Sequence, residues 1–180
     1  MKPVSAENLE KAGQKAYQKG ALDEALEAYR AARSSFEAEN NQLKAAEMAN
    51  NLCVILLQKK QPEEALEIVT GTESIFLNAS DRKRAAYAYG NLASALEACG
   101  QIPKAESAYR TAMEIFSDMG EDEALSQTAQ SLSQLLLKQG RSLEALSSMQ
   151  AGIDGKKKKL SLKDRILRRL LRIPSDQMNR

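Results

Sequence analysis

Four stretches of this chain read alike at a spacing of forty residues, and that spacing limits the fold more than anything else in it. The clearest copy is Gly100–Phe116, GQIPKAESAYRTAMEIF. Its Ala105, Ala108, Tyr109, Ala112 and Phe116 recur at three- and four-residue steps, one face of a 3.6-period helix. Pro103 falls in the first turn, where its missing N–H costs nothing. The pattern returns as Gly20–Phe36, as Lys60–Phe76 and, from Gly140, as GRSLEALSSMQAG. A small residue recurs at Ala25, Ala65, Ala105 and Ala145, and an aromatic at Phe36, Phe76 and Phe116. Uninterrupted copies at one period specify a repeat array, in which each unit packs only on its neighbours.

Helix punctuation follows the same period. Ser5 caps a first helix to about Lys19, and a second runs from Leu22 to Glu37 after Gly20. Asn40 and Asn41 break the chain before a third, apolar helix from Gln42 to Lys59. Pro62 opens a fourth, read as continuous to about Leu77. Asp81 caps a fifth, to Cys99. The sixth precedes Gly120, the seventh runs to Gln139, and a shorter eighth stops at Gly152. The expected fold is therefore all-α: an α-solenoid of four helix pairs over residues 1–155, the last pair truncated. Residues 156–180 form a basic tail with an amphipathic helix over 162–173.

Hydrophobic residues make up 43% of the chain and aromatics only 4%, so Ala and Leu carry the core, which suits close helix packing. Close approach needs small residues on facing helices: Cys53, Ala93 and Ser133 in the first helices, the four alanines in the second. A large residue at one of those alanines is expected to overpack the joint, at about 1–3 kcal/mol.

The letters of the repeat resemble the tetratricopeptide repeat family over about residues 5–155. The A-x3-aromatic element stands as Ala25–Tyr29 and Ala105–Tyr109, and in weaker form as Ala65–Val69 and Ala145–Met149. The Leu-Gly pair of the family's first helix becomes Ala12-Gly13, Leu52-Cys53, Leu92-Ala93 and Leu132-Ser133. Its tryptophan is replaced by Leu9, Ala49, Tyr89 and Ala129, and its proline after the second helix is absent. The period of forty exceeds the family's usual thirty-four or so, and resembles the extended repeats of kinesin light chains and related adaptors.

Catalytic chemistry finds no foothold in these residues. There is no histidine, so Ser-His-Asp and Cys-His arrangements are excluded. Two isolated cysteines, Cys53 and Cys99, make neither a zinc site nor a disulfide framework and read as buried apolar groups in a reducing compartment. No glycine-rich phosphate loop occurs, and acid pairs such as Glu63-Glu64 fall in first turns, where they answer the helix dipole. No cofactor, metal or small-molecule substrate is expected. The N-terminal MKPVSAENLEKAG lacks an apolar run and no segment is long enough to span a membrane, so the expectation is a cytoplasmic protein, peripheral to a membrane if its tail binds one.

The resemblance implies a non-enzymatic adaptor whose first helices line a concave groove for a peptide or protein segment. On this chain the groove would carry Glu7, Glu10, Gln14 and Tyr17, then Glu47, Asn50, Asn51, Val54, Leu57 and Gln58. The third copy gives Tyr87, Asn91, Ser94 and Glu97, and the fourth Gln127, Gln130, Ser131, Gln134 and Lys138. Asn51 and Asn91 stand forty apart, at the place where kinesin-light-chain-like repeats use an asparagine on the bound backbone. A carboxamide offers both donor and acceptor. Alanine at both is expected to weaken binding and leave stability nearly unchanged. The groove reads as mildly acidic and amide-bearing, without the Lys/Arg clamp that chaperone-binding relatives use on a carboxylate, so a basic or neutral peptide fits it best.

The net charge of +2 hides a polar division. Residues 156–180 hold ten Lys/Arg and two Asp/Glu, a net +8; residues 1–155 hold sixteen and twenty-two, a net −6. Ser161 begins a capping-box-like turn, and Leu162, Ile166, Leu167, Leu170, Leu171 and Ile173 share half the helical wheel. Arg165, Arg168, Arg169 and Arg172 share the other half with Asp164, and Pro174 ends the helix. Twelve residues make a marginal helix in water, so something must cover the leucine face. Three covers fit: the end of the array, an anionic membrane, or a groove of this chain or of a second copy in a homo-oligomer. The first is favoured here. The competing function is accordingly a membrane-surface binder acting through this helix, with duplex nucleic acid a weaker candidate.

Overall fold

The computed structural model describes residues 5–154. Among them every regular element is a helix: α1 Ala6–Gln18, α2 Leu22–Ala38, α3 Gln42–Gln58, α4 Pro62–Val69, α5 Thr72–Asn78, α6 Arg82–Ala98, α7 Ile102–Met119, α8 Asp122–Lys138 and α9 Ser142–Asp154. The tail helix expected over 162–173 lies outside the described residues.

The turns keep a stricter clock than the helices. A left-handed residue recurs every twenty positions: Gly20, Asn40, Lys60, Ser80, Gly100, Gly120 and Gly140, with φ between +57° and +74°. At each, the next N–H donates back across the helix end, from Ala21 to Ala16 O at 3.0 Å, Asn41 to Phe36 O at 2.8 Å, Gln61 to Leu56 O at 2.9 Å, and onward to Arg141 and Leu136 O at 3.0 Å. This is the Schellman closure, which satisfies carbonyls the helix leaves open. Its acceptor residues are the buried Ala16, Phe36, Leu56, Phe76, Leu96, Phe116 and Leu136. The aromatic period of forty is thus twice a helix-end period of twenty.

Helix starts use local caps. Ser5 accepts from Asn8 N–H at 3.4 Å, Asn41 from Lys44 N–H at 3.2 Å and Asp81 from Arg84 N–H at 2.9 Å.

Two expected helix bounds need correction. The fourth helix is broken at Thr70 and Gly71, the latter at φ +88°. Thr70 Oγ1 donates to Leu66 O at 2.6 Å and Thr72 Oγ1 to Val69 O at 2.8 Å, so hydroxyls compete for carbonyls beside a glycine that tolerates the turn. The last helix does not stop at Gly152 but runs on to Asp154; Gly152 sits inside it against a close neighbour, where a Cβ would lie 2.7 Å from Ala129 Cβ.

The chain divides into two compact units, Met1–Ala108 and Tyr109–Arg180. In the first, α1 packs on α2, α2 on α3, α3 on α4, α5 and α6, and both α4 and α5 on α6. Its core holds Phe36, Met48, Leu52, Ile55, Leu56 and Val69, all 1% exposed or less. Ala25, Ala65 and Ala105 have no exposed surface, as close packing requires, and Gly13 lets Tyr29 approach where a Cβ would meet the ring at 2.9 Å. In the second unit α8 packs on α9, and Phe116, Leu132, Leu135, Leu136 and Ala145 are buried. Each fully buried Leu or Phe contributes about 1.5–3 kcal/mol of transfer free energy.

Candidate functional site

The first unit brings most of the expected groove residues together on α1, α3 and α6. At one end stands a row of alternating charge. Lys44 Nζ meets Glu10 Oε1 at 2.8 Å and Glu47 Oε2 at 3.3 Å. Arg84 Nη1 meets the same Glu47 Oε2 at 3.4 Å, and its Nε meets Asp81 Oδ2 at 2.7 Å. Burial pulls the Lys44 ammonium down, but hydrogen bonding to Glu10 and the charges of Glu47 and Glu10 outweigh it, and its pKa stands above the ordinary value. Two of the glutamates that made this face read as acidic, Glu10 and Glu47, are thus ion-paired with two cations forty apart, Lys44 and Arg84. That repeat was visible in the sequence and carried no weight there, because neither cation lies in the family motif.

Next to it lies an amide pair. Asn50 Nδ2 donates to Ala46 O at 2.9 Å, and Asn91 Nδ2 donates to Asn50 Oδ1 at 2.9 Å. Cys53 Sγ lies 3.8 Å from Asn91 O. Asn51 is half-buried and makes no side-chain hydrogen bond among the described residues, so its donor and acceptor both remain open there. Half-buried Val54 and Leu57 follow on α3. Farther along, Gln58 Nε2 donates to Tyr17 Oη at 2.8 Å, tying α3 to α1. Gln14 is exposed, Tyr87 is 47% exposed, and Ser94 Oγ turns back to Gly90 O at 3.0 Å.

The residues of the fourth copy stand on α8, in the second unit. Gln130 and Gln134 are exposed, Gln127 Nε2 donates to Glu123 Oε1 at 3.2 Å, and Ser131 Oγ donates to Gln127 O at 3.3 Å. A cleft of about 440 Å³ opens in the same unit between α7 and α9, floored by Met113, Leu125 and Leu132. The expected tail residues Leu162, Arg165, Ile166, Arg168, Arg169, Leu170 and Arg172 lie outside the described residues. No group of three or more His, Cys, Asp and Glu that could hold a metal occurs among the described residues. Nor is any described helix long and apolar enough to cross a membrane.

Residues 84–158 match the family model described as tetratricopeptide repeat. Over this stretch the chain is similar to that family. No curated protein sequence matches the chain. Among solved structures it is similar to BtubC (BKLC) from P. vanneervenii, with 18% identity, 97% of this chain and 68% of that one covered, and a TM-score of 0.71. It is similar also to the Rap conjugation gene regulator of the plasmid pLS20 in complex with the Phr* peptide, with 20% identity, 83% and 42% coverage and a TM-score of 0.69. The apo form of RapI gives 15% identity, 97% and 49% coverage and a TM-score of 0.70. The chain thus spans less than half the length of either Rap protein. At these identities the likeness shows the fold, that of tetratricopeptide-type helical solenoids. Repeats of this kind are typically interaction modules.

Proposed function

We propose that this protein is a non-enzymatic adaptor and that the α1–α3–α6 face of its first unit holds a peptide or protein segment in extended form. The observation that carries this reading is Asn51, a half-buried carboxamide with no partner among the described residues, set between the Asn50–Asn91 pair and the apolar Val54 and Leu57. An extended backbone presents alternating N–H and C=O groups, and an uncommitted carboxamide can answer both. Lys44 and Arg84 are engaged by carboxylates, so they form no free clamp for an anionic ligand. A neutral or basic segment with an apolar side chain over Val54 and Leu57 fits the face best. The likeness to a Rap regulator solved in complex with a peptide supports a ligand of this class. To test it, a displayed library of random peptides is selected on the full chain. Binders are then re-measured on Asn51→Ala and Val54→Glu. Weaker binding to both, with unchanged melting, supports the face; unchanged affinity on both places the ligand elsewhere.

A further inference from the structure

The second unit leaves three leucines in solvent near one turn. Leu137 of α8 is 51% exposed, and Leu143 and Leu146 of α9 are 70% and 40% exposed. Leu137 and Leu143 stand three residues either side of Gly140, and Leu146 is one helical turn farther on. The repeat supplies a measure of what is normal at this place. Leu26, at the position of Leu146 three copies earlier, is 7% exposed and belongs to the core, and Leu66 is packed against that core. Among the described residues nothing gives Leu146 the same cover.

We propose that the segment Leu162–Ile173 of this chain covers these leucines, running back along α9 as a strap and not as the first helix of a further repeat. Its Leu162, Ile166, Leu167, Leu170, Leu171 and Ile173 supply an apolar face of matching kind. The reach closes: α9 ends at Asp154, and the residues between it and Leu162 span up to about 25 Å when extended. A helix of this length measures about 18 Å, close to the length of α9 itself. Charge agrees, because residues 109–154 hold three Lys/Arg and seven Asp/Glu, a net −4, and residues 156–180 carry +8.

The period excludes the alternative geometry. Stepping back in register, Arg165, Arg168, Arg169 and Arg172 fall on Ala45, Met48, Ala49 and Leu52, all buried. Four guanidinium groups cannot enter such places without partners. The helix must therefore present the opposite face to α9 and leave its arginines in water.

Hydrogen exchange on the full chain tests this, with α8 amides as the internal reference for intact folding. Amides of residues 166–173 should be protected without lipid, equally at low and high protein concentration. Leu146→Asp should speed their exchange about tenfold or more, and Arg168→Ala with Arg172→Ala should leave it unchanged. Free-chain exchange without lipid would overturn the proposal. Protection that appears only with phosphatidylserine-containing vesicles would assign the leucine face to membranes, and protection that grows with concentration to a second copy. Loss of protection in the arginine variant would return the helix to the repeat register.

Discussion

The Asn91 side-chain amide donates to Asn50 Oδ1 at 2.9 Å, joining α6 to α3 across forty-one residues of sequence. This bond makes the two asparagines that stand in register, Asn51 and Asn91, unequal. Asn91→Ala removes the donor that satisfies Asn50 and should cost about 0.5–1.5 kcal/mol. Asn50→Ala should cost a similar amount, and the double variant little more than either, since both remove one interaction. Asn51→Ala should stay within about 0.5 kcal/mol of the parent, while weakening a selected peptide. Urea unfolding of the four variants and the parent checks this. Additive losses would show that Asn50 and Asn91 act separately, and the joint Asn51/Asn91 variant is no longer expected to keep full stability.

Helix ends offer a stabilising change. Lys60 and Ser80 hold φ at +59°, in places filled by glycine at positions 20, 100, 120 and 140. A side chain there costs roughly 1 kcal/mol relative to glycine. Lys60→Gly and Ser80→Gly should each raise stability by up to about 1 kcal/mol, and Gly100→Ala should lower it by about as much. Thermal melts of the three variants decide it, and a drop for both glycine variants would mean that the flexibility gained by the unfolded chain outweighs the relieved strain.

The fold was legible because two signals coincided. The forty-residue step of Ala25, Ala65, Ala105 and Ala145 marked the close helix joints, and Ser5, Asn41 and Asp81 marked helix starts. The break at Thr70–Gly71 was missed because the period ran through it: Ala65 and Phe76 kept their places on either side. Gly152 was misread as a stop for a related reason. A glycine inside a helix looks like a terminator until the neighbour that needs its missing Cβ, here Ala129, is known. For the candidate site, the residue types were readable and their pairings were not. Whether Asn91 meets Asn50 or Asn51 depends on how α6 is rolled against α3, and no spacing along one helix contains that angle.

The cysteines should differ in reactivity. Burial pushes the Cys53 thiol up to about 12, and it has no exposed surface. Cys99 is half-buried, contrary to the expectation that both cysteines are core residues; its thiol is raised by burial and by the charge of Glu63. Because the thiolate is the nucleophile, maleimide at neutral pH should modify Cys99 slowly in the folded protein and Cys53 only after urea. Mass spectrometry of the digested protein reads this directly. The same burial has a stability consequence at high pH. A thiol whose folded pKa lies above its ordinary value of 9.0 contributes stability that is present below about pH 9 and lost as the pH rises toward 12. Equal native labelling of the two cysteines would contradict the packing of α3.

Asp81 should link the start of α6 to acid stability. Its carboxylate accepts the Arg84 N–H at 2.9 Å and the Arg84 guanidinium Nε at 2.7 Å. The backbone hydrogen bond first, then the guanidinium's bond and charge, outweigh slight burial and hold its pKa below the ordinary 3.8. A carboxyl with a lowered folded pKa contributes stability that is present above the unfolded value and is lost as the pH falls through the folded one. Asp81→Asn keeps a capping oxygen and removes the titrating group. Asp81→Ala removes both and should cost about 1 kcal/mol near neutral pH. Below about pH 4 the wild type should lose stability faster than Asp81→Asn, so the gap between their urea midpoints should narrow as acid is added. A gap that stays constant down to pH 2 would show that the cap, and not the charge, is all that Asp81 provides.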